Sequence, residues 1–153
     1  MSERARILII DDDENVRKAL GMVLESKGYE VDTAREGKEA IKKSKERFYN
    51  LALVDIRLPD MDGVDLLTAM KDTTPKMVKI IVTGYPSLEN AVEAVNKGAD
   101  GYIVKPILNM DTFLSIIREH LKKQEEARRY SEQKVTEYIE ARAREQEAAK
   151  TKT

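Results

Sequence analysis

The chain contains no cysteine, which excludes disulfides, thiol catalysis and thiolate metal sites. Its one histidine, His120, stands just before a charged helical tail. It reads as a surface position rather than a phosphorelay group, and histidine-based metal chemistry is absent. No run of about 18 apolar residues occurs, so no helix is built to cross a bilayer. The apolar stretch in the N-terminal MSERARILII is too short for a signal peptide and runs straight into acids, which makes a cytoplasmic protein the expectation. An excess of one charge is also lacking. With 27 Lys and Arg against 28 Asp and Glu, the net charge is -1, giving no global attraction to nucleic acid or an acidic membrane. What is present suits one domain with an appendage: 153 residues, of which 41% are hydrophobic and 36% charged.

Short apolar runs alternate with helical patterns. Strands are expected at Ala5–Ile10, Tyr29–Thr33, Leu51–Val54, Val78–Val82 and Gly101–Val104. ILII, LALV and IIV are continuously apolar, as in a parallel sheet covered on both faces. YEVDT alternates, as an edge strand does. Between them, Val16, Ala19, Leu20, Val23 and Leu24 follow helical spacing. A second helix is expected from about Glu36 to Arg47, with Ala40, Ile41 and Ser44 inward. A third follows Gly63 with Leu66, Leu67 and Met70. A fourth follows Ser87 with Leu88, Ala91, Val92 and Val95, and a fifth starts near Asn109–Asp111 with Leu114, Ile117 and Leu121. Five strand–helix repeats predict a parallel sheet with helices on both faces, and the leading topology is the flavodoxin-like order 2-1-3-4-5.

In such sheets ligands bind beyond the carboxyl ends of the strands. The first strand ends in Asp11-Asp12-Asp13, the third in Asp55, the fourth in Thr83 and the fifth in Lys105-Pro106. Clustered carboxylates repel one another, and a hard divalent cation such as Mg²⁺ relieves that repulsion. A carboxylate beside such a cation suits attack on phosphorus, with a lysine and a hydroxyl to hold the phosphoryl oxygens. Asp13 reads better as the cap of the first helix, and Asp60 and Asp62 as loop acids.

These motifs, ILIIDDDENVR, LALVDIRLPDMDG, KIIVTGY and GADGYIVKP, closely resemble the receiver domain of two-component response regulators over about residues 4–122. The resemblance implies that Asp55 is the phosphoacceptor for a histidine kinase or phosphotransfer protein. It makes Asp12 a direct Mg²⁺ ligand, Asp11 its acidic partner and the backbone carbonyl of Arg57 a further ligand. Thr83 becomes the switch hydroxyl, Tyr102 the aromatic that follows it, and Lys105 the partner of a phosphoryl oxygen, before a cis peptide bond to Pro106. Arg57 and Tyr85 occupy the two positions that tune phosphoryl lifetime in the family, and Gly84 leaves room beside Thr83. The implied protein is a signalling switch, not a metabolic enzyme, which catalyses only its own phosphotransfer and autodephosphorylation. Its output to a downstream protein target would run through the fourth helix, fifth strand and fifth helix. A phosphate-independent scaffold is the alternative, and a flavodoxin-type nucleotide or flavin binder ranks last, because DDDEN would repel phosphate.

The receiver is expected over 1–122 and a charged extension over 123–153. The extension has no glycine or proline and is rich in helix formers. Pairs such as Glu125 with Arg129 and Glu140 with Arg144 favour continuation of the fifth helix to about Gln146–Ala149. The heptad rhythm breaks at Gln124, Arg128 and Ser131 before Val135 and Tyr138. A solvated helix, a signal-transmitting helix and a homodimer through this helix or the fourth-helix face therefore all stay open. No helix-turn-helix follows, and no direct nucleic-acid binding is expected.

Overall fold

A computed structural model describes residues 4–151. Five parallel strands, β1 (Arg6–Ile10), β2 (Glu30–Ala34), β3 (Leu51–Val54), β4 (Val78–Thr83) and β5 (Gly101–Val104), form one sheet in the order 2-1-3-4-5. They alternate with α1 (Glu14–Ser26), α2 (Gly37–Glu46), α3 (Gly63–Ala69), α4 (Leu88–Asn96) and α5 (Met110–Thr151). This is the flavodoxin-like architecture read from the sequence, with β2 at an edge.

The two-residue period of a strand sends alternate side chains to opposite faces. Ile7 and Ile9 of β1, Leu51 and Leu53 of β3, and Ile80 and Val82 of β4 pack against Leu20 and Leu24 of α1 and Phe113, Leu114 and Ile117 of α5. The intervening residues Leu8, Ile10, Ala52, Val54 and Ile81 face Ala40, Val64, Leu66, Leu67 and Ala94 from α2, α3 and α4, and Met70 just after α3. Continuous apolar strands are thus required by burial on both sides, each full burial of an Ile or Leu stabilising by roughly 1.5–3 kcal/mol.

Local chemistry sets the helix ends. The Asp13 carboxylate accepts from Asn15 N and Val16 N, so Asp13 caps α1 as expected. Gly28 (φ 91°) and Gly98 (φ 100°) take the left-handed conformation just after α1 and α4. Glu36 precedes α2 without a side-chain cap bond. That role falls to Asp60, whose carboxylate accepts from Gly37 N at 2.8 Å and Lys38 N at 2.9 Å. Asp62 caps α3 through Val64 N at 2.8 Å.

The apolar stripe of α4 departs from the inward face that helical spacing suggested. Ala94 is its buried residue, while Leu88, Val92 and Val95 are 82%, 51% and 66% exposed. The reason is position: α4 lies beside the edge strand β5, whose residues are themselves only partly covered. α5 is continuous for 42 residues and ends slightly beyond the expected range. Gln124 marks its anchorage, donating from Nε2 to the carbonyls of Asn50 (2.9 Å) and Lys76 (2.8 Å). Farther on, Tyr130, Val135, Tyr138 and Ile139 are exposed. The Glu125–Arg129 pair forms at 3.1 Å. Glu140–Arg144 is not among the ion pairs of the described residues, where Arg142 pairs with Glu145 instead.

Candidate functional site

Parallel registration brings the strand ends side by side. Ile10 is level with Val54, and Val54 with Ile81. The ladder continues one step past the strands: Asp11 N donates to Ala34 O, Asp55 N to Ile10 O (2.9 Å) and Lys105 N to Thr83 O (2.8 Å). Asp11, Asp55 and Lys105 are therefore fixed through their backbones.

Lys105 Nζ lies 2.7 Å from Asp11 Oδ2 and 3.4 Å from Asp55 Oδ2. Asp11 and Asp55 are buried, whereas Asp12 faces solvent. The Asp11 carbonyl accepts from Arg17 Nη1 at 2.8 Å, and Asp11 Oδ1 accepts from Asp13 N at 2.9 Å. Burial is the main influence on Asp55 and pushes its pKa upward. The Lys105 charge pulls it back and the Asp11 charge adds to the rise, leaving it above the ordinary carboxylate value. Burial also disfavours the Lys105 ammonium, but its hydrogen bond to Asp11 and the charges of Asp11 and Asp55 outweigh that and hold its pKa up.

One carboxylate oxygen from each of Asp11, Asp12 and Asp55 falls within 4.8 Å of the others. Asp55 Oδ1 is buried and has no hydrogen-bond partner. A buried, orphaned carboxylate oxygen among further carboxylates is the donor set that a hard divalent cation fits.

Thr83 is fully buried, and its Oγ1 accepts from Tyr85 N at 3.1 Å. The Tyr102 hydroxyl donates to Asn90 Oδ1. Neither hydroxyl hydrogen-bonds to Asp55 among the described contacts. The Arg57 guanidinium stacks over the Tyr85 ring, 3.6 Å from its centroid, a separation at which cation–π attraction operates. A Cβ at Gly84 would meet nothing within 4 Å, and Lys105–Pro106 is cis. Gly63 is forced by a close approach, because its Cβ would lie 1.9 Å from the Asp55 carbonyl oxygen.

Sequence reasoning named Arg57 and Tyr85 but not their contact, and it missed Arg17, Asn90 and the role of Asp60. A basic residue one turn into a helix that follows an acidic strand end was the available signal for Arg17. Asp60 reaches α2 across 23 positions, and no local pattern reports that.

The family description "Response regulator receiver domain" matches residues 7–118. The transcriptional regulatory protein ZraR of Klebsiella oxytoca is 38% identical over 105 residues, covering 69% of this chain and 24% of that protein. This chain thus spans about a quarter of that relative's length. A CheY-like response regulator receiver domain protein from Methanospirillum hungatei JF-1 superimposes with a TM-score of 0.78 at 46% identity, over 82% of this chain and 99% of that one. A response regulator protein from Burkholderia pseudomallei, solved with a phosphorylated aspartic acid, calcium ion and citrate, gives a TM-score of 0.67 at 29% identity, over 80% of this chain and 72% of that one.

Proposed function

The chain belongs to the response regulator receiver domain family, whose general function is phosphorylation on an aspartate, and on that premise we propose that Asp55 is the phosphoacceptor. The observation that carries the reading is Asp55 itself. One carboxylate oxygen is buried without a partner, and the other faces the Lys105 ammonium at 3.4 Å. That partnerless oxygen lies among the Asp11 and Asp12 carboxylates, where a divalent cation would face it, and it leaves the oxygen beside Lys105 to form the bond to phosphorus. The phosphorylated aspartic acid of the Burkholderia pseudomallei response regulator supports the same chemistry here.

The donor is a histidine kinase or a phosphotransfer protein. An Asp55 oxygen forms the new O–P bond as the P–N bond of the donor phosphohistidine breaks. The bonding pair leaves on the imidazole nitrogen, which is protonated from solvent. Lys105 holds one phosphoryl oxygen through its ammonium and Thr83 donates its hydroxyl to another. Asp11, Asp12, Asp55 and the backbone carbonyl of Arg57 would hold Mg²⁺, which when bound offsets charge on the phosphoryl oxygens. Arg57 and Tyr85 cover the acyl phosphate and slow attack by water. The protein runs only its own phosphotransfer and autodephosphorylation, in the cytoplasm.

The phosphoryl group adds about two negative charges and favours the arrangement in which Thr83 and Lys105 both engage it. The output is a change in protein contacts on α4, β5 and the start of α5, where Leu88, Val92, Val95, Val104 and Leu108 are exposed. The receiver occupies 1–122. Residues 123–153 are the extension, helical as far as Thr151 among the described residues, which relays the signal to a downstream protein or pairs two copies without direct contact to nucleic acid.

The test is intact mass after incubation with acetyl phosphate, with and without Mg²⁺, on wild type and Asp55→Asn. One added phosphoryl group that needs both Mg²⁺ and Asp55 is the expected result. No adduct, together with no beryllofluoride binding, would replace this reading with a phosphate-independent scaffold.

A further inference from the structure

We propose that Asn90, in the first turn of α4, is the positioning residue that links the Thr83 hydroxyl to the Tyr102 hydroxyl. The inference rests on the reading of Asp55 as phosphoacceptor and of Thr83 as the hydroxyl that turns toward the phosphoryl group.

The link is a set of hydrogen bonds joined through the backbone of Tyr85. Thr83 Oγ1 accepts from Tyr85 N at 3.1 Å. On the other side of the same residue, Tyr85 O accepts from Asn90 Nδ2 at 3.0 Å. Asn90 Oδ1 then accepts from the Tyr102 hydroxyl, and also from Ser87 N at 3.3 Å. The side-chain amide turns the run from backbone to hydroxyl, donating to Tyr85 O on the Thr83 side and accepting from the Tyr102 hydroxyl on the other. That double role suits Asn, which carries an acceptor and two donors on one planar group. The Tyr85 ring is meanwhile clasped by Arg57, so the short segment from Thr83 to Ser87 is held at its backbone and at its largest side chain.

A hydroxyl has one proton and a limited set of directions. When Thr83 turns its Oγ toward a phosphoryl oxygen, it gives up Tyr85 N. Residue 85 is then free to move, and the Asn90 amide loses the partner that orients it toward Tyr102. The two hydroxyls are thereby coupled: the run is intact without the phosphoryl group and broken with it. Since this arrangement belongs to the unphosphorylated state, removing it shifts the balance toward the phosphoryl-binding state, and ligand affinity rises accordingly.

A simpler role competes. Asn90 also completes the capping box of α4: its Oδ1 accepts from Ser87 N at 3.3 Å and its backbone N–H donates to Ser87 Oγ at 3.1 Å. Ser87→Ala removes the Oγ bond of the box and leaves the amide contacts to Tyr85, Tyr102 and Ser87 N in place, so it tests a loosened start of α4 by itself; Tyr102→Phe leaves both capping bonds, so its cycle with Asn90→Ala tests the coupling.

The experiment titrates the full chain, in Mg²⁺, with beryllofluoride by calorimetry, using wild type, Ser87→Ala, Asn90→Ala, Tyr102→Phe and the Asn90→Ala/Tyr102→Phe double variant. Circular dichroism verifies the fold of each. Asn90→Ala and Tyr102→Phe should each bind about five-fold more tightly, the effect of roughly one hydrogen bond. The double variant should gain no more than the better single one, and Ser87→Ala should lose thermal stability with unchanged affinity. Full additivity in the double variant, or an affinity change in Ser87→Ala equal to that in Asn90→Ala, overturns the role of Asn90 and leaves the phosphoacceptor reading intact. Wild type that takes neither beryllofluoride nor acetyl phosphate overturns both. If Asn90→Ala does not fold, Asn90→Gln, which keeps the amide but displaces it by one methylene, takes its place in the cycle with the same expectations.

Discussion

Gly63→Ala should be far more damaging than one added methyl group suggests. An ideal Cβ at Gly63 would stand 1.9 Å from the Asp55 carbonyl oxygen, 2.8 Å from its carbonyl carbon and 2.9 Å from Ile56 Cα. All three are backbone atoms, so no rotamer change relieves the contact. Ordinary contact begins near 3.4 Å, and one side must move by about 1.5 Å, the difference between the two distances. The end of β3 is held by the Asp55 N to Ile10 O bond at 2.9 Å. The start of α3 is held by Val64, Leu66 and Leu67, none of them exposed. Overpacking typically costs about 1–3 kcal/mol, and a clash between two anchored backbones belongs at the upper end, about 3 kcal/mol. The small gain of Ala over Gly at a helix position offsets part of this. Against a total stability of about 5–15 kcal/mol, the variant should still fold but melt roughly 6–12 °C lower. Urea unfolding followed by far-UV circular dichroism measures the loss. Because the displaced atom belongs to Asp55, acetyl phosphate labelling should fall as well. A loss below about 1 kcal/mol would refute the argument from close approach. Gly84→Ala, whose Cβ meets open space, is the control and should be nearly neutral in stability.

Gly21 lies inside α1, where an added Cβ would meet Val31 Cγ1 at an ordinary 3.8 Å, so Gly21→Ala should stabilise by about 0.5–1 kcal/mol in the same urea assay. Lys79 is buried in β4, and its ammonium donates to Leu67 O in the last turn of α3. Burial holds its pKa below 10.5 in the folded chain. The unfolded state therefore binds this proton more tightly, and stability rises as pH climbs through the folded pKa toward 10.5. Lys79→Met should lack that rise, so the difference between the two urea midpoints must change from pH 7 to pH 10; an equal difference at both would count against it. Arg57→Ala/Tyr85→Ala removes the stacked pair at 3.6 Å and should shorten the acyl-phosphate half-time about five-fold, as loss of one such contact over the site implies; an unchanged decay would dispose of the shielding role.

Much was legible locally. ILII, LALV and IIV specified buried parallel strands because only apolar side chains tolerate burial on both faces. The residue following each such strand announced the candidate site, since parallel registration places all strand ends on one rim. The cap role of Asp13 was also readable, because an acid just before a helix satisfies amides within its own turn. The outward α4 stripe was not, because helical spacing shows that one face is apolar without showing what covers it. Leu88, Val92 and Val95 have the period of a core face and lie beside a sheet edge instead.

The sequence by itself determined the class of fold, the edge character of β2 and the chemical character of the rim, all of which follow from short-range periodicity and from what stands one step past each strand. Tertiary structure alone decided which atoms meet. Lys105 reaches Asp11 across 94 positions, Asp60 caps a helix 23 positions earlier, and Tyr102 of β5 finds Asn90 of α4 across 12 positions. These contacts depend on the distances between packed elements, and a pattern of residue types along the chain carries no measure of distance.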